Sequence, residues 1–228
     1  MFRKYEKTFR IRIPQFNVSG KHFLSKKEVK RILGAEVTIE EKLDGANVGI
    51  IRHKKGFHLQ KRGSLVGQSE HEQFGYFHNW SNNQNYDKIM NIPKGYIVYA
   101  ELVYIVHHIY YNNLPDYFIV TEVWDGKKYL NRYKKETFCN NYGFYICPLI
   151  AQGHFNIDEL FDWMPSESEF GDRAEGMIVK RYRKNEHMRG KIVWPNFMKE
   201  IDNGEHWVRK PIKINKLRET SWENLLII

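Results

Sequence analysis

Glu41-Lys42-Leu43-Asp44-Gly45-Ala46-Asn47 stands where an alternating apolar and polar run, Val37-Thr38-Ile39-Glu40-Glu41, comes to an end. The alternation is that of a strand, and Asp44-Gly45 is a turn signal. A lysine held between the two projects its amine away from the sheet, toward whatever cleft the turn borders. Lysine is a covalent catalyst only when neutral, so such a role requires burial or neighbouring positive charge to lower its pKa. Taken alone, Lys-x-Asp-Gly also fits an exposed hairpin turn, and the decision rests on the rest of the chain.

Working outward, Ser25 to Leu33 reads as a short helix, with Ser25 as N-cap, Glu28 three residues on, and Gly34 closing it. Asn47 to Ile51 and Phe57 to Gln60 read as strands joined by the turn at His53-Lys54-Lys55-Gly56. Residues 71–91 are polar, aromatic and Asn-rich, and suggest loop and helix. Tyr96 to Tyr104 and Tyr117 to Trp124 are nearly continuous apolar runs, as in strands covered on both faces, and Asp125-Gly126 ends the second. Ile157 to Trp163 predicts a short helix opened by Asn156, Gly176 to Val179 a strand, and 186–228 a mixed region with an amphipathic tail. Strands dominate without regular βαβ alternation, which predicts an α+β fold with mainly antiparallel sheets flanked by helices.

The 228 residues are 42% hydrophobic and 15% aromatic, enough to bury a core, so disorder is excluded. A formal net charge of +9 favours polyanionic partners, nucleic acid or nucleotides, and a steep salt dependence of their binding. Cys139 and Cys147 lack zinc-type spacing and read as reduced thiols. No run approaches membrane-spanning length. The expectation is a soluble, intracellular, cytoplasmic protein with no membrane partner. His71 between Glu70 and Glu72, and the pair His107-His108, have no recognised ligand spacing, and a surface or packing role is expected. Trp194, Trp207 and Trp222 lie among Arg and Lys, either as base-stacking residues or as closure of a small C-terminal core.

Further charged residues stand against strands in order: Lys61-Arg62-Gly63; Glu101 within Tyr99-Ala100-Glu101; Phe118 to Glu122; Glu175-Gly176-Met177-Ile178-Val179-Lys180; and Lys191, with Arg189 and Lys199 on either side. An unpaired carboxylate in an apolar strand is costly, so Glu101 and Glu175 need a reason. This ordered set, over residues 36–199, resembles the covalent nucleotidyltransferase superfamily of DNA ligases, RNA ligases and mRNA capping enzymes. Glu-Lys-x-x-Gly-x-Asn at 41–47 looks most like its RNA-ligase-2 branch.

The resemblance implies a nucleotidyltransferase (ATP-grasp-like) ligase domain. It also implies an ATP-dependent RNA ligase that seals 5′-phosphate and 3′-hydroxyl ends through a lysyl-AMP intermediate and an adenylated strand. ATP and Mg²⁺, or Mn²⁺, are the implied cofactors, and RNA ends, or an RNA/DNA hybrid, the implied partner. Lys42 is the implied nucleophile. Asn47 and Arg62 are candidates for the ribose and phosphates of ATP or for the 5′-phosphate, and Glu101 for the ribose hydroxyls. Phe118 is the candidate adenine stack, Glu175 the metal ligand, and Lys180 and Lys191 the phosphate contacts. Lys191 and Glu175 join Lys42 as the catalytic set. Glu41 is a candidate reader of the adenine edge, but strand alternation turns its side chain away from that of Lys42, so a main-chain contact is an equal alternative.

One departure stands out. The family's fifth motif carries two lysines one residue apart, and here the second position is Val193, with Lys199 or Arg189 as the candidate replacement. The domain expectation is a single adenylyltransferase domain over 1–228, with 200–228 as a short C-terminal extension and no oligonucleotide-binding-fold domain. That disfavours a DNA ligase or a capping enzyme. A nick-sealing DNA ligase and a non-catalytic RNA-binding module on the same fold are the competing readings.

Overall fold

The computed structural model describes residues 2–18, 22–67, 71–183, 186–203, 207–209 and 211–219. The architecture is α+β, as the sequence predicts. Among the described residues, ten strands form two five-stranded sheets. In chain order the strands are β1 (Phe9–Arg10), β2 (Val37–Glu41), β3 (Ala46–His53), β4 (Gly56–Lys61), β5 (Ile97–Leu102), β6 (Phe118–Trp124), β7 (Tyr145–Ile146), β8 (Leu149–Gly153), β9 (Gly176–Tyr182) and β10 (His187–Val193). One sheet runs β1-β10-β9-β2-β8 and the other β4-β3-β5-β6-β7. Only the edge pairs β1–β10 and β6–β7 are parallel; all other pairs are antiparallel.

The chain passes from the first sheet to the second between β2 and β3, and the crossover is Lys42-Leu43-Asp44-Gly45. Gly45 is required there. A Cβ at that position would lie 2.6 Å from the carbonyl oxygen of Leu102, so only glycine lets the crossover approach β5. Gly176 is fixed in the same way by a φ of +151° and by the carbonyl of Ile192, 2.1 Å from where a Cβ would be. Its own carbonyl accepts from the Lys42 N–H at 2.9 Å, which ties the crossover to the start of β9.

Each sheet has its own apolar core. Val48, Ile50, Val98, Ala100, Phe118 and Val120 pack under α2 (Glu72–Asn79), α3 (Tyr86–Met90) and α4 (Arg132–Tyr142). Ile11, Ile13, Val37, Ile39, Val179 and Ile192 pack under α1 (Lys26–Leu33). The α1 capping box is complete: the Ser25 hydroxyl accepts from the Glu28 N–H, and the Glu28 carboxylate accepts from the Ser25 N–H. Such a cap stabilises a helix by about 1 kcal/mol.

Several elements differ from the sequence expectation. Ile157 to Trp163 yields only a single 3₁₀ turn, Glu159–Phe161, although Asn156 opens it as expected, its Oδ1 accepting from the N–H groups of Asp158 and Glu159. Residues 71–91 are helical, through α2, a π-helical turn at Trp80–Gln84 and α3. Helix α4, with Asn131 as N-cap and Gly143 in the left-handed conformation, carries no clean apolar stripe and gave no periodic signal. The region after 186 contributes β10 and α5 (Pro195–Asn203), and residues 211–219 lie against the body as an extended segment. Within that segment Asn215 is buried, accepting from the Tyr111 N–H and donating to the Val103 carbonyl. No helix among the described residues is long and apolar enough to cross a membrane.

Candidate active site

The two sheets enclose a cleft of about 480 Å³ beside the crossover. Glu41, Lys42, Asn47, Arg62, Glu101, Lys180 and Lys191 all line it, so positions nearly 150 residues apart in sequence meet in one cavity. Glu175 stands just behind Lys42, and its Oε2 accepts from Lys42 Nζ at 2.6 Å. Phe118 is absent from the lining.

Three carboxylates set the electrostatics of Lys42. Burial alone lowers its pKa, but Glu175, Glu101 and Asp44 outweigh burial and raise it. The expectation that Lys42 would be driven toward the neutral amine is therefore reversed: the resting side chain is an ammonium. Burial in turn raises the Glu175 carboxyl, against the pull of Lys42. Burial also pushes Glu101 up to about 7, with Glu175 and Asp44 adding to the effect. The cluster thus carries more negative charge than one lysine satisfies. Asp44 itself is structural. Its Oδ2 accepts from the N–H groups of His108 and Ile109 at 2.7 and 2.9 Å, fixing the loop behind the crossover.

Asn47 pairs with Glu101 in register across β3 and β5, and its Oδ1 is buried with no hydrogen-bond partner among the described residues. An orphaned acceptor beside a carboxylate suits a ligand that brings hydroxyl donors. Arg62 is exposed at the rim in the turn Arg62-Gly63-Ser64. Lys191 projects from β10 and is lowered to about 8, chiefly by burial and then by Lys42.

Three of the sequence-nominated residues are committed elsewhere. Phe118 is 1% exposed and stacks on Trp80 with ring centroids 4.8 Å apart, within the core of the second sheet. Strand alternation explains the miss: Phe118 and Val120 face the core, while Thr121, the extra residue of a β-bulge opposite Tyr99 and Ala100, reaches the cleft. The Glu41 carboxylate is held by the Ser168 hydroxyl at 2.5 Å and the Glu169 N–H at 3.2 Å, which engages the side chain elsewhere and leaves the main-chain contact of the two readings. Lys180 lies at the floor of the cleft with its ammonium bound to Glu40 Oε2 at 2.5 Å and Glu122 Oε1 at 2.9 Å, leaving it no freedom to follow a phosphate.

That last pairing belongs to a buried network that sequence reasoning missed. Glu40 also accepts from Lys135 at 2.7 Å and Arg132 at 3.0 Å, and the Tyr182 hydroxyl donates to Glu122 at 3.0 Å. Lys135 and Lys180 both donate to the Thr121 carbonyl. The network therefore joins β2 and β9 of one sheet to β6 and α4 beside the other, beneath the cleft. The only signal in the sequence was Glu40, a charge at a position where the strand continues into apolar surroundings.

Neither candidate replacement for the second lysine of the fifth motif reaches the cleft. Val193 is buried in an apolar cluster with Leu43 and Phe197. The Arg189 guanidinium lies over the Tyr5 ring at 4.0 Å and donates to Thr8 Oγ1 and the Glu6 carbonyl, clamping the N-terminal segment. Lys199 is exposed on α5. His71 caps α2, and His107 Nε2 lies 3.2 Å from Gln73 Oε1. Both cysteines are buried free thiols. The Trp194 indole donates to the Pro165 carbonyl and packs on Phe16, a core role. Glu70, Trp222 and the side chain of Trp207 lie outside the described residues.

Comparison with solved structures finds the same fold in an RNA ligase of Naegleria gruberi. A variant of that protein with AMP and Mn matches at a TM-score of 0.63 and 14% identity, over 89% of this chain and 59% of that one. Its form with pyrophosphate matches at 0.61 and 14%, over 78% and 55%. An apo variant matches at 0.61 and 11%, also over 78% and 55%. The chain thus spans less than two thirds of the length of these structures, and the likeness is one of fold. No curated protein matches the chain. The RNA ligase family model matches residues 35–193, the stretch that carries β2 through β10 and every cleft residue singled out in the sequence, and the chain belongs to the RNA ligase family.

Proposed function

We propose that this chain is an ATP-dependent RNA ligase that joins 5′-phosphate and 3′-hydroxyl RNA ends and carries AMP on Lys42 between steps. The observation behind this is the pairing of Lys42 Nζ with Glu175 at the wall of a cleft lined by Asn47, Arg62, Glu101 and Lys191, in a chain of the RNA ligase family.

Glu175 Oε2, 2.6 Å away, is the nearest group able to take the proton of Lys42, and its raised pKa makes it a better base than a free carboxylate. The Lys42 lone pair then forms a bond to the α-phosphorus of ATP. The bond from that phosphorus to the bridging oxygen breaks, and its electron pair leaves with pyrophosphate. In the second step an oxygen of the RNA 5′-phosphate attacks the same phosphorus and the Lys42–phosphorus bond breaks. In the third, the 3′-hydroxyl attacks the activated 5′-phosphate and AMP departs. Catalysis here is positioning and charge neutralisation. Asn47 Oδ1 and Glu101 accept from the ribose hydroxyls, Lys191 holds phosphate oxygens, and exposed Arg62 engages the 5′-phosphate with its planar fork.

The chemistry of the site fits Mg²⁺ or Mn²⁺. Surplus negative charge at Glu101 and Glu175 is what a divalent cation compensates. The described residues offer no cluster of three or more metal-ligating side chains. Glu175 would therefore hold the ion together with ATP phosphates, in the manner usual for Mg²⁺. When bound, the ion cancels the field that keeps Lys42 protonated. Several of the Naegleria gruberi structures contain Mn together with ATP or AMP.

The test is to incubate the protein with α-labelled ATP and Mg²⁺ and to look for label that survives denaturation, beside GTP and NAD⁺. Label is expected from ATP and is expected to vanish in Lys42→Ala. Label on Lys42→Ala sinks the assignment of the nucleophile; no label on the wild type leaves the RNA-binding module as the better reading. Sealing of RNA against DNA ends then separates the RNA ligase from its DNA-sealing rival.

A further inference from the structure

Arg10 is a basic side chain with no role in the account above. It sits on the edge strand β1, paired in parallel with Lys191 of β10. Register partners in a sheet project to the same face. The row continues from Lys191 to Ile178 and on to Glu40, and Lys191 and Ile178 both line the cleft. The neighbouring residue, Ile11, goes to the opposite face, into the apolar core beneath α1. Thr8, two residues before Arg10 and so on the same face, also lines the cleft.

The charges around this wall leave a gap next to Lys191, and Arg10, just outside the cleft lining, shares a small hollow with Lys191 from which its long side chain can reach that gap. A bound ATP brings a polyphosphate that departs as pyrophosphate, and strong stabilisation of that group takes more than one cation. Lys180 is neutralised by Glu40 and Glu122. Arg189 is spent on Tyr5, Thr8 and the Glu6 carbonyl. Position 193 is an apolar core valine. Arg10, by contrast, is half-buried, and its Nε has no hydrogen-bond partner among the described residues. Its charge is felt at Lys191, where it helps to lower the ammonium's pKa, so the two cations share one neighbourhood. Two like charges held in register, one of them with an unpartnered Nε, are arranged for an anion between them.

We propose that Arg10 supplies the second cation of this wall, binding with Lys191 the β- and γ-phosphates of ATP and then the departing pyrophosphate. The assignment rests on the ligase reading above. It gives Arg10 a part in the first step and its reversal, and none in sealing an already adenylated strand, where no pyrophosphate is present.

The experiment compares wild type, Arg10→Ala and Arg10→Lys in three assays: formation of the AMP adduct against ATP concentration, discharge of the adduct by added pyrophosphate, and sealing of a pre-adenylated RNA without ATP. In Arg10→Ala, the KM for ATP and the pyrophosphate concentration for half-maximal discharge should each rise about 10- to 100-fold, the effect of losing a charge-assisted contact. Arg10→Lys should recover part of both, and sealing of the pre-adenylated strand should stay at the wild-type rate. Equal losses in all three assays mean that Arg10 merely supports the fold and overturn the inference. So does an Arg10→Ala protein with wild-type response to ATP and pyrophosphate. A wild-type protein that forms no adduct overturns the ligase reading itself, and the inference with it.

Discussion

Replacing Phe118 by leucine separates two accounts of this side chain by the sign of two measurements. The ring is 1% exposed and contacts Trp80 at 4.8 Å, Phe77 at 5.7 Å and Phe144 at 5.8 Å between centroids. Leucine keeps much of the apolar volume but loses the aromatic pairs, worth about 0.5–1.5 kcal/mol, and leaves a small void. The expected destabilisation is about 1–2 kcal/mol. For a chain of this size that corresponds to a fall in Tm of roughly 2–8 °C. If instead the ring stacked on adenine, its loss would remove about 1–3 kcal/mol of base stacking, a rise of about 5- to 150-fold in the KM for ATP. Thermal unfolding and adduct formation, the latter well below the variant's Tm, measure both. The structure requires a lowered Tm with KM within about twofold of wild type. An unchanged Tm with a tenfold higher KM would refute the placement of Phe118 in the core.

Other expectations follow from the same geometry. Because Glu101 is pushed up to about 7, it is mostly protonated at pH 6 and ionised at pH 8, and kcat/KM for adduct formation should bend near pH 7. Glu101→Gln should abolish that bend and leave the one near pH 8 from Lys191; a bend near 7 that persists in the variant excludes Glu101 as its source. Lys180→Met should cost about 3–5 kcal/mol in urea unfolding, by leaving Glu40 and Glu122 short of a cation. Glu122 is held well below its ordinary pKa, so the stability it confers is present above about pH 4.5 and is lost as pH falls through the depressed value. The penalty of Lys180→Met should shrink over the same acid range, and a penalty independent of pH would argue against the pairing. Arg62→Ala should slow sealing of a pre-adenylated strand at least as much as it slows adduct formation, whereas Glu175→Ala should depress both. Wild-type sealing by either variant would confine that residue to the earlier steps.

The sequence by itself determined the fold class, singled out Lys42 and marked most of the residues that line the cleft. Alternation in Val37 to Glu41, the apolar runs around Glu101 and Glu122, and the costly placement of charges against strands are local properties. They survive translation into structure because each depends on a strand having two faces. The α1 capping box was legible for the same reason, since Ser25 and Glu28 need only each other. Only the tertiary structure decided which face was which. Phe118 and Thr121 lie three positions apart and so face opposite sides of β6, but only the packing of Phe77 and Trp80 on Phe118 decides that its side is the core and the other the cleft. Glu40 and Lys135, 95 residues apart, become partners only when β2 meets α4. Arg10 gains its neighbour Lys191 through a two-residue edge strand too short to show periodicity. The protonation state of Lys42 was likewise a tertiary outcome, because it depends on summing three carboxylates brought from the crossover, β5 and the start of β9 against the cost of burial. Local patterns fix what a residue can do; charge balance and packing, which act across the whole chain, fix what it faces.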